Sequence, residues 1–401
     1  MKYRILFVDD EPNLLEGLKR MLRPMRNEWD MNFVIGGQAA LSLLKETQFD
    51  IIISDVRMPL MNGVQLLTEI QQLYPHTIRI LLSGQSDEEM IFKAVGPAHQ
   101  YLAKPCDAEL LKSTISRACV LGDLLGNTTI KHLVSQIETL PSIPELYRRL
   151  EKELQSKEGS LERSAAIIAK DVGMSAKILK LVNSAFFGTP KQVADPLQAV
   201  LFLGMETLKT LVLTIKIFQE LGPKVPKSFD LEKFWEDSVK TGEYARKIMA
   251  AEQGGGSYSE EALTAGILHD LGVLLLACNF PDKYQECLTL SQTNNIPLEK
   301  IERQILGTTH GEVGGYLLGL WGLSTPIIEA VAFHHDPQQC PHQGFSPLTA
   351  VHTANAFVNE ERWRNSVKGG ADALNEEYLT QLGIMDRIPV WQNELQTPLG
   401  T

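Results

Sequence analysis

Three things are scarce in this sequence. Cysteine is the first: five in 401 residues, at positions 106, 119, 278, 287 and 340, odd in number and without a Cys-x-x-Cys pair. Such a set reads as buried or surface thiols of a reducing compartment, not as a disulfide framework. Long apolar runs are the second. The longest strong one, around Val273–Cys278, is far shorter than the roughly 20 residues that cross a bilayer. Positive charge is the third, with 38 Lys and Arg against 49 Asp and Glu and a net charge of -11. Non-specific nucleic-acid binders and surfaces that seek anionic lipid both need the opposite balance. The opening MKYRILFVDD runs straight into an apolar strand and then acid, unlike a secretory or transit segment. The expectation is a cytoplasmic, soluble protein without a nucleic-acid or membrane partner.

What is present is ordinary folded composition, 44% hydrophobic and 22% charged, at a length that suits two or three domains. Up to about residue 120, short β-rich segments (Ile5–Val8, Ile51–Ser54, Ile78–Leu82, Gln100–Leu102) alternate with helical patterns. These helices carry Leu14, Leu15, Leu18 and Leu22 on one face, or run through Ala40–Leu44, Val64–Leu73 and Leu110–Ala118. Such alternation predicts a parallel sheet covered by helices on both faces.

Beyond residue 125 the strand signal stops. Helical spacing runs through Ala165–Lys170, Ala176–Asn183, Leu197–Leu203, Phe234–Ala250, Ala262–Leu276 and Ile327–His334, with Gly- and Pro-rich breaks between. Leu111, Ile115, Ala118, Leu121 and Leu125 keep a three-four spacing that would suit a dimerising connector and a homodimer, though Gly122 and Gly126 weaken it.

Asp9, Asp10 and Asp55 each follow an apolar strand, at the carboxyl ends where open α/β sheets place their sites. Three gathered carboxylates repel one another, so they make sense around a hard cation such as Mg²⁺. Ser83 ends another strand and Lys104 a fourth. A cation, an ammonium and a hydroxyl around one carboxylate offer three neutralising contacts to a phosphoryl group. Any one of these acids alone would read better as a helix cap; the ordered set does not.

Residues 1–122 resemble the receiver domain of bacterial response regulators. The matching residues are Val8 to Glu11 (VDDE), Asp55 to Pro59 (DVRMP) with Gly63, Ser83-Gly84 and Lys104-Pro105. The resemblance implies a flavodoxin-like, doubly wound five-stranded parallel sheet. It implies that Asp55 accepts a phosphoryl group from a sensor histidine kinase, with Mg²⁺ held by Asp9, Asp10, Asp55 and the carbonyl of Arg57. Lys104 and Ser83 would contact phosphoryl oxygens, and Tyr101 would be the aromatic that turns inward on activation. Arg57 and Gln85 flank the site.

Six of nine histidines lie beyond residue 260, among them His269-Asp270 in a helix and His334-His335 closing another. Adjacent His-Asp on a helix with distant histidines is how helical phosphohydrolases collect a transition metal, whose hydroxide can attack a phosphodiester. One such histidine alone reads better as a hydrogen-bonded core residue. Cys340-Pro-His342 hints at zinc, but a surface loop explains it better.

Residues 140–358 look like an HDOD domain, a relative of HD and HD-GYP phosphohydrolases and an all-α fold. The amino-terminal half matches through Leu140–Pro144 (LPSIP), Asp171, Leu179, Val182–Ala185, Phe187-Gly188 and Leu203-Gly204. The carboxyl-terminal half matches through Gly266–Gly272 (GILHDLG), His310-Gly-Glu312, Gly315, Trp321 and His334-His335. A linker at 123–139 and a helical tail at 359–401 complete the organisation. The resemblance implies a residual metal or nucleotide pocket at His269, Asp270, His310, His334 and His335.

Three departures from the active enzymes argue against catalysis. Asp237 stands where they place a histidine, Asn355 where they place a late aspartate, and Val273 where cyclic-dinucleotide phosphodiesterases carry a lysine. Their GYP loop is also replaced, by 337–347. The expectation is a non-catalytic output that binds another signalling protein, for example of a cyclic-dinucleotide pathway. The alternative is a phosphorylation-controlled metal-dependent phosphodiesterase.

Overall fold

The computed structural model describes residues 2–84, 97–104, 108–124, 130, 134, 141–142, 144–156, 158–183, 192–214, 219–220, 226, 229–253, 257–365 and 374–396. Gln85, Pro105, Leu140, Ile143 and positions 184–188 of the motifs above lie outside them. The chain forms two compact units. One is Met1–Gln136 with Lys180–Lys191 and Gly319–Gly322; the other is Ile137–Leu179, Gln192–Leu318 and Leu323–Thr401.

The first unit is a parallel five-stranded sheet in the order β2-β1-β3-β4-β5. Its strands are β1 (Tyr3–Asp9), β2 (Trp29–Ile35), β3 (Ile51–Asp55), β4 (Ile78–Ser83) and β5 (Gln100–Ala103). Four lie where the sequence places them; β2 has no counterpart among the expected strands. It is an edge strand with only Trp29 fully buried, so it lacks the continuous apolar run that marks β3 and β4. The helices between are α1 (Pro12–Met21), α2 (Gly37–Glu46), α3 (Gly63–Leu73) and α4 (Ala108–Leu124). Asn62 caps α3 reciprocally with Gln65. On α4, Leu111, Ile115 and Ala118 are buried, so the face considered for dimerisation is already covered there. The side chains at 121 and 125 lie outside the described residues.

The second unit is mostly helical. Its first helices are α5 (Pro144–Gln155), α6 (Leu161–Ile168), α7 (Val172–Val182) and α8 (Pro196–Lys209). Gly204 sits inside α8 at φ 76°, a left-handed kink that a side chain would strain. Next come α9 (Leu231–Gln253), α10 (Ser257–Leu268), α11 (Leu271–Asn279), α12 (Pro281–Asn294) and α13 (Leu298–Leu306). The series ends with α14 (His310–Leu320), α15 (Thr325–Phe333), α16 (Pro347–Asn365), α17 (Glu376–Gln381) and α18 (Ile388–Gln396).

The expected absence of strand beyond residue 125 needs one correction. Pro141–Ser142 pairs in parallel with Gln219–Glu220, a ladder too short to show as a pattern. The stretch Tyr258–Asn279 is long and apolar enough by composition to cross a membrane, but 89% of its apolar window is buried in the fold, as in a core helix.

Helix α16 runs across residue 358, and the chain after it is anchored. Glu252 accepts hydrogen bonds from Arg387 Nε and Trp391 Nε1, both at 2.8 Å, and Trp391 is fully buried. His352 donates from Nδ1 to the carbonyl of His334 at 2.7 Å, and its Nε2 accepts from the backbone of Asn375 at 2.9 Å.

Glycines let helix ends approach in this unit. A Cβ on Gly272 would lie 2.0 Å from the carbonyl oxygen of His310, and one on Gly315 would lie 2.7 Å from Ala332 Cβ. Gly272→Ala must therefore push α11 away from α14, and should cost about 3 kcal/mol by the usual range for overpacking. Urea unfolding of the variant would measure it; an unchanged midpoint would contradict the contact.

Candidate functional site

Two groups of potential metal ligands converge among the described residues: Asp9, Asp10 and Asp55 in the first unit, and Asp270, His310, His334 and His335 in the second.

The acidic group lies at the carboxyl ends of β1 and β3. Asp9 and Asp55 are buried, and Asp10 is half-buried. Lys104, just past β5, reaches into the group. Its Nζ lies 2.5 Å from Asp55 Oδ1 and 2.8 Å from Asp9 Oδ2. The remaining oxygens are held by backbone, Asp9 Oδ1 by the amide of Glu11 at 2.9 Å and Asp55 Oδ2 by that of Arg57 at 3.0 Å. Burial pushes the Asp55 carboxyl above its ordinary value, and the neighbouring Lys104 only partly opposes this. Burial alone would lower Lys104, but its bonds to Asp55 and Asp9 outweigh that and raise it.

Ser83, between these strands at the end of β4, has a buried hydroxyl with no hydrogen-bond partner. A buried polar atom left without a partner costs free energy, and is tolerated where a ligand will use it. Tyr101 is buried in the sheet's core cluster, which also includes Val8 and Val56. Gly63 is dictated by contact, since a Cβ there would meet the carbonyl oxygen of Asp55 at 2.0 Å. The oxygen-only donor set suits Mg²⁺, which favours carboxylates and carbonyls.

The second group assembles from helix ends. Asp270 stands in the turn between α10 and α11, His310 opens α14, and His334 and His335 follow α15. The Asp270 carboxylate lies 3.2 Å from His310 Nε2, 3.6 Å from His334 Nε2 and 3.3 Å from His269 Nε2. The Nδ1 of His269 faces the carbonyl of Gly266 at 2.7 Å, and that of His334 faces Val331 at 2.8 Å. A carbonyl only accepts, so each Nδ1 carries a proton, and Nε2 is the nitrogen each ring turns toward Asp270.

Both Nε2 atoms are buried without a hydrogen-bond partner. His335 Nε2 lies 2.7 Å from His310 Nε2. Imidazole nitrogens gathered with one carboxylate are the donor set of a borderline transition metal, so Asp270, His310, His334 and His335 fit one. Burial opposes the charge on Asp270, but His269 and His310 outweigh it and hold the carboxyl well below the usual range. Burial and the neighbouring His335 and His269 hold His334 well below the usual imidazole value.

His269, expected in this set, touches Asp270 but is not among the four converging ligands. Neither are Asp237, half-buried on α9, and Asn355, buried on α16 with its oxygen accepting from Asn359. Glu312 of the His310-Gly-Glu312 motif is occupied in holding the fold. It pairs with both Arg303 nitrogens at 2.8 and 2.9 Å and accepts from Thr308 and Thr309 at the start of α14. In the 340–342 loop Cys340 is buried and His342 binds Glu329, outside both converging groups.

One residue escaped the sequence reading altogether. Glu302 on α13 is fully buried, and its carboxyl accepts from Tyr284 Oη at 2.9 Å and from His310 twice, backbone N at 2.8 Å and Nδ1 at 2.7 Å. Burial would lower His310, but Glu302 and Asp270 together raise it well above its ordinary value.

The response regulator receiver domain model matches residues 5–116, and the HDOD domain model matches residues 140–337. The chain is a response regulator with an HDOD output domain. An uncharacterized protein of Treponema pallidum is 26% identical over 251 residues, 61% of this chain and 48% of its own. The hydrogenase transcriptional regulatory protein HoxA of Cupriavidus necator is 32% identical over 154 residues, 38% of this response regulator and 30% of its own length. The chain thus spans less than half of these curated relatives. Among solved structures, the MmoQ response regulator of Methylococcus capsulatus covers 65% of the chain and 98% of its own at 22% identity, with a TM-score of 0.49.

Proposed function

We propose that a sensor histidine kinase phosphorylates Asp55 in the cytoplasm, and that the HDOD domain answers by binding another signalling protein, not by catalysis. The observation that supports this best is the buried, unpartnered hydroxyl of Ser83 beside a carboxylate already gripped by Lys104. A phosphoryl group on Asp55 would bring oxygens that need both. In the transfer, a carboxylate oxygen of Asp55 attacks the phosphorus of an N-phosphoimidazole. The P–N bond breaks, and its electron pair leaves with the kinase's imidazole. Bound by Asp9, Asp10, Asp55 and the Arg57 carbonyl, Mg²⁺ would neutralise charge gathering on the phosphoryl oxygens.

Lys104 supplies a fixed positive charge to the same oxygens, and Ser83 a donor. The acyl phosphate adds charge at a point where Ser83 and Tyr101 can repack around it, and a few kcal/mol suffices to shift a two-state population by orders of magnitude. Leu60, fully exposed at φ 67° in the loop after Asp55, offers an apolar contact beside the phosphoacceptor. Acetyl phosphate with Mg²⁺ should add one phosphoryl group to the wild type and none to Asp55→Ala, by intact-protein mass spectrometry. An equal gain in both would refute the assignment.

A second reading is kept because the four-residue group in the helical unit favours it. There Asp270, His310, His334 and His335 would hold a transition metal, which would supply a polarised water for phosphodiester hydrolysis under control of Asp55.

A further inference from the structure

We infer that Glu302 is the positioning residue of the helical site, fixing the proton of His310 on Nδ1 so that Nε2 is presented to the metal. The inference rests on the proposal that Asp270, His310, His334 and His335 can take a transition metal, and goes beyond it to the residue that sets the ligand field.

Glu302 is fully buried on α13 and accepts three hydrogen bonds. A carboxyl at that depth is expensive unless every lone pair is used, and an apolar side chain would serve a mere core at least as well. What distinguishes the contact is that one oxygen, Oε2, takes both the backbone N–H and the ring Nδ1–H of His310. The backbone N–H is one of the orphan donors at the start of α14. The ring N–H fixes tautomer and rotation together. Tyr284 Oη occupies the other oxygen from α12, so the carboxyl group cannot turn.

Three of the histidines around Asp270 differ in this respect. His269 and His334 give their Nδ1 protons to carbonyls three residues back in their own helices. His310 instead gives its proton to a carboxyl group from another helix. A carboxylate behind an imidazole raises its basicity and its strength as a ligand, and loss of such a partner commonly weakens metal binding 10- to 100-fold. His310 is therefore the anchor ligand, and Glu302 makes it so.

Glu302→Gln keeps the acceptor oxygen and the shape but removes the charge, and Glu302→Met removes both. The full-length protein is titrated with Co²⁺, whose visible absorption reports ligation, and the imidazole nitrogens of the metal-free protein are read by ¹⁵N NMR. Expected results are a Co²⁺ dissociation constant raised about 10-fold in Glu302→Gln and about 100-fold in Glu302→Met. The melting temperature of Glu302→Gln should stay close to wild type. In metal-free wild type, read at a pH high enough for His310 to be neutral, its one remaining proton should sit on Nδ1, and in Glu302→Met it should redistribute.

Unchanged Co²⁺ affinity in both variants, or a neutral wild-type His310 whose single proton sits on Nε2, would overturn the inference. If the wild type takes up no Co²⁺, the metal reading falls separately, while the NMR tautomer still decides whether Glu302 positions His310.

Discussion

Replacing Lys104 by alanine should slow phosphoryl loading of Asp55 by about two to three orders of magnitude, the usual effect of removing one donor to a developing oxyanion. The same substitution should tighten Mg²⁺ binding. Both follow from one geometry: the ammonium sits 2.5 Å from Asp55 and 2.8 Å from Asp9, occupying the field a divalent cation would use. It balances two buried carboxylates before the cation arrives, and reaches phosphoryl oxygens once they are present. Without it, Asp9, Asp10 and Asp55 face one another uncompensated.

Removing one partner of such a largely buried pair costs about 3 kcal/mol. The Mg²⁺-free variant should therefore melt well below wild type, and Mg²⁺ should restore most of the difference. Mass-spectrometric time courses with acetyl phosphate and thermal melts with and without Mg²⁺ check the two halves. A variant that loads at the wild-type rate would show that the ammonium serves stability alone.

The receiver site was legible because its parts are local in sequence. Asp9-Asp10, Asp55, Ser83 and Lys104 each end a strand, and a parallel sheet brings its strand ends together whatever lies between. The missing strand β2 shows the limit of that signal. An edge strand buries little, so Trp29–Ile35 mixes Asp30 and Asn32 with Phe33 and Val34 and never forms a run. In the helical unit, His269-Asp270 and His334-His335 stood out as unusual pairs, and four of the five expected residues do converge.

Glu302 could not be found that way. It lies in LEKIERQIL, whose charges read as the solvated face of an amphipathic helix. Only the packing of α12, α13 and α14 shows that this glutamate points inward to Tyr284 and His310 while its neighbour Arg303 points out to Glu312. The resemblance carried the ligand candidates. It did not carry the residue behind them, because a second partner is fixed by tertiary contact and leaves no spacing to read.

Full-length protein loaded with Zn²⁺ should hold one equivalent at the helical site and hydrolyse no cyclic dinucleotide. Asp270, His310, His334 and His335 give four protein donors, and four is the number at which zinc sites are closed and structural. A catalytic site keeps one position open for the water that becomes the nucleophile. The surroundings agree with the closed reading. Asp237 contributes no ligand to the converging set, Asn355 turns its oxygen to Asn359, and Val273 is a buried apolar residue on α11. His310→Ala removes the ligand held by Glu302 and should lower Zn²⁺ affinity at least 100-fold. Zinc at about a thousand times the wild-type dissociation constant should stabilise the wild type by about 4 kcal/mol and that variant by about 1.4 kcal/mol or less. Metal analysis, thermal melts and a cyclic-dinucleotide hydrolysis assay decide together. Turnover by the metal-loaded wild type that disappears in His269→Ala would reject the binding role and leave the phosphodiesterase reading standing, because His269 contacts Asp270 without being one of the four and only an active centre would depend on it for chemistry.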